Sequence, residues 1–308
     1  MLKGKRIVMT GVTGQVAHAI AKRLAPHNDV WAIARFSEPG SRDLIESSGI
    51  TTRIADFAKG VFEDVPTDFE YVLHFAANTR TTTSEEGMVI NAEGAGILMN
   101  YFRGSKAFFH CSTSGVYASS PDPYHVMQEE IDQIGGGGRP GHYYSTKTAA
   151  EGAVRAFARV LNLPTVIARL NVAYGTEAGD GGLPGMQLDK LVNREPIRLP
   201  KSWTCIHQPI HEDDLTAHIG PLLEAASVPA TVVNWGGDEQ VKAEDWVRYL
   251  GEVTGIEPVF EFTDENPLPQ GILDNTRRLK ITGPCTVPWR EGMRGMVRLR
   301  YPDLKLVA

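Results

Sequence analysis

The residues best placed to do chemistry are Tyr143 and Lys147, in the run Tyr143-Tyr144-Ser145-Thr146-Lys147. The run opens a segment, Tyr143–Leu161, whose apolar periodicity predicts a long helix. A spacing of four puts the phenol and the ammonium on one helical face. An ammonium near a phenol favours the phenolate and lowers its pKa toward a range useful for proton transfer. Tyr144 is turned about 100° round the helix and is expected to face elsewhere. Alone, such a pair reads first as a surface contact worth a few tenths of a kcal/mol. A second signal lies upstream: Cys111-Ser112-Thr113-Ser114-Gly115-Val116-Tyr117 leaves a predicted strand at the same edge of the sheet. A hydroxyl there can bond a substrate oxygen as charge changes on it.

The run Thr10-Gly11-Val12-Thr13-Gly14-Gln15-Val16-Ala17 joins the first predicted strand to the first predicted helix. Gly11 permits a tight turn, Gly14 lets backbone approach a pyrophosphate, and small Ala17 lets the helix pack close to the sheet. The helix N-terminus adds free N–H groups and a positive dipole end for phosphates. A glycine triplet alone can be a structural turn; its position after the first strand favours a dinucleotide site held by Gly11, Thr13, Gly14, Gln15 and Val16. The second strand ends Val30-Trp31-Ala32-Ile33-Ala34-Arg35, without the carboxylate that would bond an adenosine 2′-hydroxyl. Arg35, helped by Ser37 or Arg42, can instead pair with a 2′-phosphate. NADP is therefore expected, with NAD as the alternative and a solvated surface arginine as the plain reading of Arg35. Asp56 and Phe57, ending the third strand, can meet the adenine. Phe75, Ala76 and Ala77, in His74-Phe75-Ala76-Ala77-Asn78, offer backbone and small side chains for the cofactor to lie against.

The elements needed to hold these residues alternate along the first half. Strands are predicted at Arg6–Thr10, Val30–Ala34, Thr51–Ala55, Tyr71–Ala76, Ala107–Ser112 and Thr165–Leu170, and helices at Gln15–Leu24, Arg42–Ser48, Ser84–Arg103 and Tyr143–Leu161. Mostly apolar strands alternating with helices predict an α/β fold: a doubly wound parallel (Rossmann) sheet covered on both faces, with its ligand at the carboxyl ends of the strands. Past Gly175 the rhythm breaks. Gly175–Gly185 reads as a loop, followed by a helix Met186–Asn193, a short strand at Arg198–Leu199, a helix Glu212–Ala226, a strand Thr231–Trp235 and a helix near Ala243–Thr254. The expected division is a dinucleotide-binding domain of residues 1–174 and 205–236, and a smaller, discontinuous substrate lobe of residues 175–204 and 237–308.

The glycine-rich turn, Asp56, His74–Ala77, Ser112–Tyr117 and Tyr143/Lys147 together resemble the extended short-chain dehydrogenase/reductases, in their epimerase/dehydratase branch. The likeness continues through Arg169–Gly175, Pro209–Leu215, Asn234–Gly237 and Asp274–Thr276, nearly the whole chain. The resemblance implies that Tyr143 is the general acid/base and that Lys147 lowers its pKa and holds the nicotinamide ribose. It implies Thr113 as the hydroxyl partner, with Ser114 a near rival, and Asn91 as a support for the lysine through water; an ordinary helical polar residue is the other reading of Asn91. Three departures bear on substrate. Ser114-Gly115 replaces the Asp-Glu pair of the 4,6-dehydratases. The neighbourhood Cys205-Ile206-His207-Gln208-Pro209 lacks a diphosphate-gripping arginine, and Asn171-Val172-Ala173-Tyr174-Gly175 alters an Asn-Val-Tyr-Gly pattern. A small or mid-sized carbonyl or hydroxyl compound is thus expected ahead of a nucleotide sugar.

Composition supports these expectations. The 308 residues suffice for one large domain or two unequal lobes. A net charge of −6 without a long basic block argues against a nucleic-acid partner. No apolar run approaches the roughly 20 residues of a membrane span, and the N-terminus lacks the marks of a secretory signal. Cys111, Cys205 and Cys285 are few, odd in number and far apart, which fits a reducing cytoplasm and offers no zinc spacing, so no metal is expected. His207 and His211 read as structural histidines before substrate contacts, and Trp203 and Trp235 as core before pocket. The expected activity is NADP(H)-dependent hydride transfer at an oxygen-bearing carbon by a cytoplasmic homodimer. An epimerase, and a non-catalytic dinucleotide sensor, are the alternatives.

Overall fold

The computed structural model describes residues 2–135, 142–175, 182–265 and 271–307. In chain order the first half runs β1 (Arg6–Thr10), α1 (Gln15–Leu24), β2 (Asp29–Ala34), α2 (Ser41–Glu46), β3 (Thr51–Asp56), β4 (Val61–Phe62), β5 (Tyr71–His74), α3 (Ser84–Gly87), α4 (Gly94–Tyr101), β6 (Ala107–Thr113), α5 (Tyr143–Leu161) and β7 (Thr165–Leu170). The second half runs β8 (Ala173–Tyr174), α6 (Gly182–Val192), β9 (Ile197–Leu199), β10 (Ile206–His207), β11 (Ile210–His211), α7 (Glu212–Glu224), β12 (Thr231–Trp235), β13 (Val241–Lys242), α8 (Ala243–Thr254), β14 (Phe260–Phe262), α9 (Thr276–Thr282) and α10 (Trp289–Arg300).

Eight strands form one sheet in the order β12-β7-β6-β5-β1-β2-β3-β4, parallel throughout except for the β3–β4 pair. From β1 the chain winds outward through β2 and β3, then returns and winds the other way through β5, β6, β7 and β12. The switch point therefore lies between β1 and β5, where Thr10 is in register with His74, and the crevice beyond their carboxyl ends is the place this topology leaves for a ligand. The strands are buried on both faces because apolar clusters cover both. Met9, Phe109 and Trp235 join Ile20 of α1 and Ile219 of α7 on one side; Val8, Phe108 and Ile167 join Leu98 of α4 and Val154 of α5 on the other. A third cluster gathers Leu188 of α6, Trp246 and Leu250 of α8, and Met293 of α10. Among the described residues, no helix is long and apolar enough to cross a membrane.

Several segments differ from expectation. The predicted helix Ser84–Arg103 is α3, a wider π-helical stretch Met88–Glu93, and α4. Its glycines admit close neighbours: a Cβ on Gly87 would meet Thr146 at 2.7 Å, and one on Gly96 would meet Phe157 at 2.7 Å. The fifth strand ends at His74, two residues early, because the Ala76 N–H donates to the Thr10 side chain (3.2 Å) rather than to a neighbouring strand. The glycine-rich segment read as a loop to Gly185 is helical from Gly182, while 176–181, and most of the Gly135–Gly138 run, lie outside the described residues.

Candidate functional site

The glycine-rich turn leaves β1 and lines a cleft of about 360 Å³ with Gly11, Thr13 and Gly14 on one side and Arg35, Ser37, Asp56, Phe57, Phe75, Ala76 and Ala77 on the others. Gly11 has φ +76°, and a Cβ there would lie 2.7 Å from the Ala76 nitrogen. The turn therefore packs backbone on backbone against the segment after β5, an approach that only glycine permits. Gly14 caps α1 without a side-chain hydrogen bond, and no acidic residue occupies the first turn, so the helix end keeps donors and positive potential for an anion. These features fit a dinucleotide. Gln15 and Val16 are turned from the cleft: the Gln15 amide donates to the Ala173 carbonyl (3.5 Å), and Val16 packs on the core. Arg42, expected to help Arg35, is held by Glu46 (3.0 Å) and Thr52 (2.8 Å). Glu38 and Ser41, which carry no motif or spacing signal, share the wall with Arg35. Asp56 also lies 3.6 Å from the Lys59 ammonium.

On the adjoining strand, Thr113 caps the short turn Ser114–Val116 by accepting a hydrogen bond from the Gly115 N–H (3.2 Å). That bond uses a lone pair and leaves the hydroxyl hydrogen free to be donated. Ser114 accepts from the Asn171 amide at 3.3 Å. Tyr143 starts α5 half-buried, and Lys147 follows one turn later, 1% exposed. Lys147 Nζ donates to the Cys111 carbonyl (2.8 Å) and sits 3.3 Å from Nε2 of His110. The expected lowering of the phenol pKa is not what this arrangement gives. Burial pushes Tyr143 up, with Cys111 and Tyr144 adding to the shift, while the ammonium is turned toward β6. Burial also lowers Lys147, against the opposing pull of Cys111 and Glu151. Tyr144 does not face away, as helical geometry alone suggested. Its ring centroid is 5.2 Å from that of Tyr143, and the ring covers Gly115, where a Cβ would lie 2.0 Å from it. Asn91 is 1% exposed; it accepts from the Asn78 N–H (2.8 Å) and donates to the Asn78 carbonyl and the Thr146 hydroxyl, one residue short of Lys147.

Below the pair lies a buried ionic group. Glu151, one turn beyond Lys147, accepts from Arg169 of β7 through Nη2 (2.7 Å) and Nε (3.0 Å), and from Ser112 of β6 (2.6 Å). The Arg169 guanidinium lies 4.7 Å from the Tyr117 ring centroid, and Tyr117 donates to Asn234 of β12 (2.7 Å). Four elements are thus locked beneath Thr113 and Lys147. Arg169 carried a sequence signal as part of a motif; Glu151 and His110 carried none until the register placed them.

A second cleft of about 300 Å³ is lined by Trp203, Tyr124, Phe262, Lys201 and Ser202. Trp203 therefore belongs to a pocket, while Trp235 is fully buried in the core. His207 packs beside Trp246 and lies 3.2 Å from the Cys205 sulfur; His211 caps α7 by accepting from the Asp213 N–H (3.2 Å).

A doubly wound sheet with a glycine-rich turn at its switch point, and a Tyr/Lys helix beside it, defines the extended short-chain dehydrogenase/reductase class. The sequence model of the NAD dependent epimerase/dehydratase family matches residues 7–235, and the chain belongs to that family. Among curated proteins, a trifunctional UDP-glucose 4,6-dehydratase/UDP-4-keto-6-deoxy-D-glucose 3,5-epimerase/UDP-4-keto-L-rhamnose-reductase of Arabidopsis thaliana is 23% identical over 315 residues, covering 95% of this chain and 46% of its own length. The chain thus spans about half the length of the curated relatives it matches. Among solved structures, the UDP-N-acetylglucosamine 4-epimerase from Methanobrevibacter ruminantium M1, in complex with UDP-N-acetylmuramic acid, superposes with a TM-score of 0.81 at 17% identity, over 98% of this chain and 100% of that one. The UDP-glucuronic acid 4-epimerase from Bacillus cereus, in complex with NAD, gives 0.78 at 19% identity, over 96% and 97%. At these identities the structural likeness establishes the fold.

Proposed function

We propose that the protein catalyses hydride exchange at an oxygen-bearing carbon, using NADP(H), with Tyr143 as the general acid/base. The observation that supports this reading is that α5, which opens with Tyr143, carries Lys147 onto the Cys111 carbonyl of β6, two residues before Thr113 ends that strand. When bound, the dinucleotide supplies the hydride acceptor and donor. The chain supplies the rest. Gly11, Thr13 and Gly14 receive the pyrophosphate, with Gln15 and Val16 shaping the turn behind them, and Asp56, Phe57, Phe75, Ala76 and Ala77 line the adenosine side. Thr113 donates its hydroxyl hydrogen to the substrate oxygen, and Tyr143 gives or takes the proton there. Lys147 lowers the phenol only by turning from the Cys111 carbonyl toward Tyr143, and Asn91 steadies it through Thr146. Arg35, flanked by Ser37 and Ser41, favours a 2′-phosphate; Glu38 in the same wall is the feature favouring NAD.

Within this reading, residues 1–174 and 205–236 bind the dinucleotide, and residues 175–204 and 237–308 shape the substrate side. The enzyme works in the cytoplasm as a homodimer paired through α4 and α5, consistent with the exposed small residues Gly152 and Ala156 on α5. Tyr144 over Gly115 fills the space after Thr113, which disfavours an elimination acid there and supports simple oxidation or reduction. The second reading is a nucleotide-sugar epimerase. It is favoured by the substrates named for the related proteins and by the aromatic cleft of Trp203, Tyr124 and Phe262 beside Lys201. Absorbance at 340 nm with carbonyl and UDP-sugar panels separates the two: a reductase consumes NADPH stoichiometrically, and an epimerase forms product without net change. Retention of full turnover by Tyr143→Phe on any active substrate would overturn both.

A further inference from the structure

Thr10 of β1, His74 of β5 and His110 of β6 stand in register on three adjacent strands, one row across the sheet. All three are buried: Thr10 and His110 are 0% exposed and His74 is 1% exposed. At one end of the row, His110 Nε2 lies 3.3 Å from the Lys147 ammonium. At the other, His74 Nδ1 lies 2.8 Å from the Thr10 hydroxyl, which also accepts from the Ala76 N–H. Between them the ring centroids are 5.3 Å apart. The two ring nitrogens without a hydrogen-bond partner are His110 Nδ1 and His74 Nε2. Those are the two atoms a continuous line would join, through a small ring rotation or one bridging water.

We propose that His110, backed by His74 and Thr10, is the positioning residue for Lys147, fixing the direction of its ammonium and tying it to the glycine-rich turn. The proposal rests on the reading of Tyr143 and Lys147 given above. An ammonium can donate only to a ring nitrogen carrying a lone pair, so His110 holds its proton on Nδ1. A donor line then runs Lys147 to His110, His110 to His74, and His74 to Thr10. Both imidazoles must be neutral for this. Burial, reinforced by the Lys147 charge, lowers His74 to about 3 and His110 well below its usual value. The other ionisable groups around the lysine are Tyr143 and Glu151 of α5, Cys111 of β6 and Arg169 of β7. The Cys111 thiol is pushed up to about 12 by burial, and Glu151 is taken by Arg169.

The test is NADPH titration by fluorescence across pH 6 to 10, on the intact protein and on His110→Leu, His110→Gln and Lys147→Met, with thermal melts to confirm folding. Leucine removes the acceptor; glutamine can restore it through its amide oxygen. The expected result is affinity about tenfold weaker in His110→Leu, the effect of losing one hydrogen bond to a charged group. The alkaline limb of its pH profile should also fall by about one unit, since an ammonium left with the Cys111 carbonyl alone, one of its two acceptors lost, deprotonates earlier; His110→Gln should stay within about twofold of the parent. If Lys147→Met weakens binding while His110→Leu does not, the histidine proposal is overturned and the reading of the lysine stands. Equal losses in the leucine and glutamine variants, with matching drops in melting temperature, also overturn it, since they mark a purely structural role. Unchanged binding in Lys147→Met overturns the reading beneath both.

Discussion

Glu151→Gln tests how the catalytic helix is anchored. Glu151 is fully buried and Arg169 is 2% exposed. Their bonds at 2.7, 3.0 and 3.3 Å, with the Ser112 hydroxyl at 2.6 Å, occupy the carboxylate almost completely. Glutamine keeps the size and removes the charge, leaving the guanidinium buried without its counterion. Breaking a buried pair in this way costs about 3–5 kcal/mol. That is a large fraction of a total stability of about 5–15 kcal/mol. At roughly 2 °C per kcal/mol for a chain of this length, the melting temperature should fall by about 6–10 °C. Adding Arg169→Met removes the stranded charge, so the double variant should recover a substantial part of the loss, a coupling that independent sites do not show. Differential scanning calorimetry on Glu151→Gln, Arg169→Met and the double variant provides the comparison. A loss below about 1 kcal/mol for Glu151→Gln, or strict additivity in the double variant, refutes the argument that this pair anchors α5.

Three further outcomes follow from particular groups. Gly11→Ala should lose about 2–4 kcal/mol of stability and at least tenfold in NADPH affinity, because the methyl group meets the Ala76 backbone in a left-handed conformation; denaturant unfolding and titration would expose an unchanged protein. Arg35→Ala should weaken NADPH roughly ten- to a hundredfold more than NADH, as loss of a charge-assisted phosphate contact requires, and equal effects on the two would contradict the assigned role. Stability should fall as pH drops from 6.5 to 5. His74, His110, His211 and His218 all have pKa values lowered chiefly by burial, so the unfolded chain binds protons in that window and the folded chain does not. Each imidazole contributes up to about 1.4 kcal/mol per pH unit, and urea midpoints measured at constant ionic strength would reveal a flat profile if the histidines were solvated.

The sheet was legible in the sequence because its strands are short apolar runs separated by strong punctuation, and Thr165–Leu170, Tyr143–Leu161 and Thr231–Trp235 match their predicted bounds. The glycine-rich turn was legible for a related reason: Gly11 sits where only backbone-to-backbone contact is possible. What escaped depends on contacts between distant residues. Helical periodicity turned Tyr144 away from Tyr143, yet the missing side chain at Gly115 makes room for its ring. Arg42 is a free cation in sequence and a partner of Glu46 and Thr52 in space. The Thr10–His74–His110 row follows from strand register, which no single segment encodes. The three small strand pairs of the second half, β8 with β11, β9 with β14 and β10 with β13, are two or three residues long, too short to show a period.

The measurement that bears most directly on the central claim is a crystal structure of the protein with bound NADPH. The Tyr143 hydroxyl should lie within about 4 Å of the reactive face of the nicotinamide, within proton-transfer reach of a substrate seated there, with the Lys147 ammonium on the adjoining ribose. A phenol turned to solvent, or more than about 8 Å from the ring with Lys147 still on the Cys111 carbonyl, would contradict it.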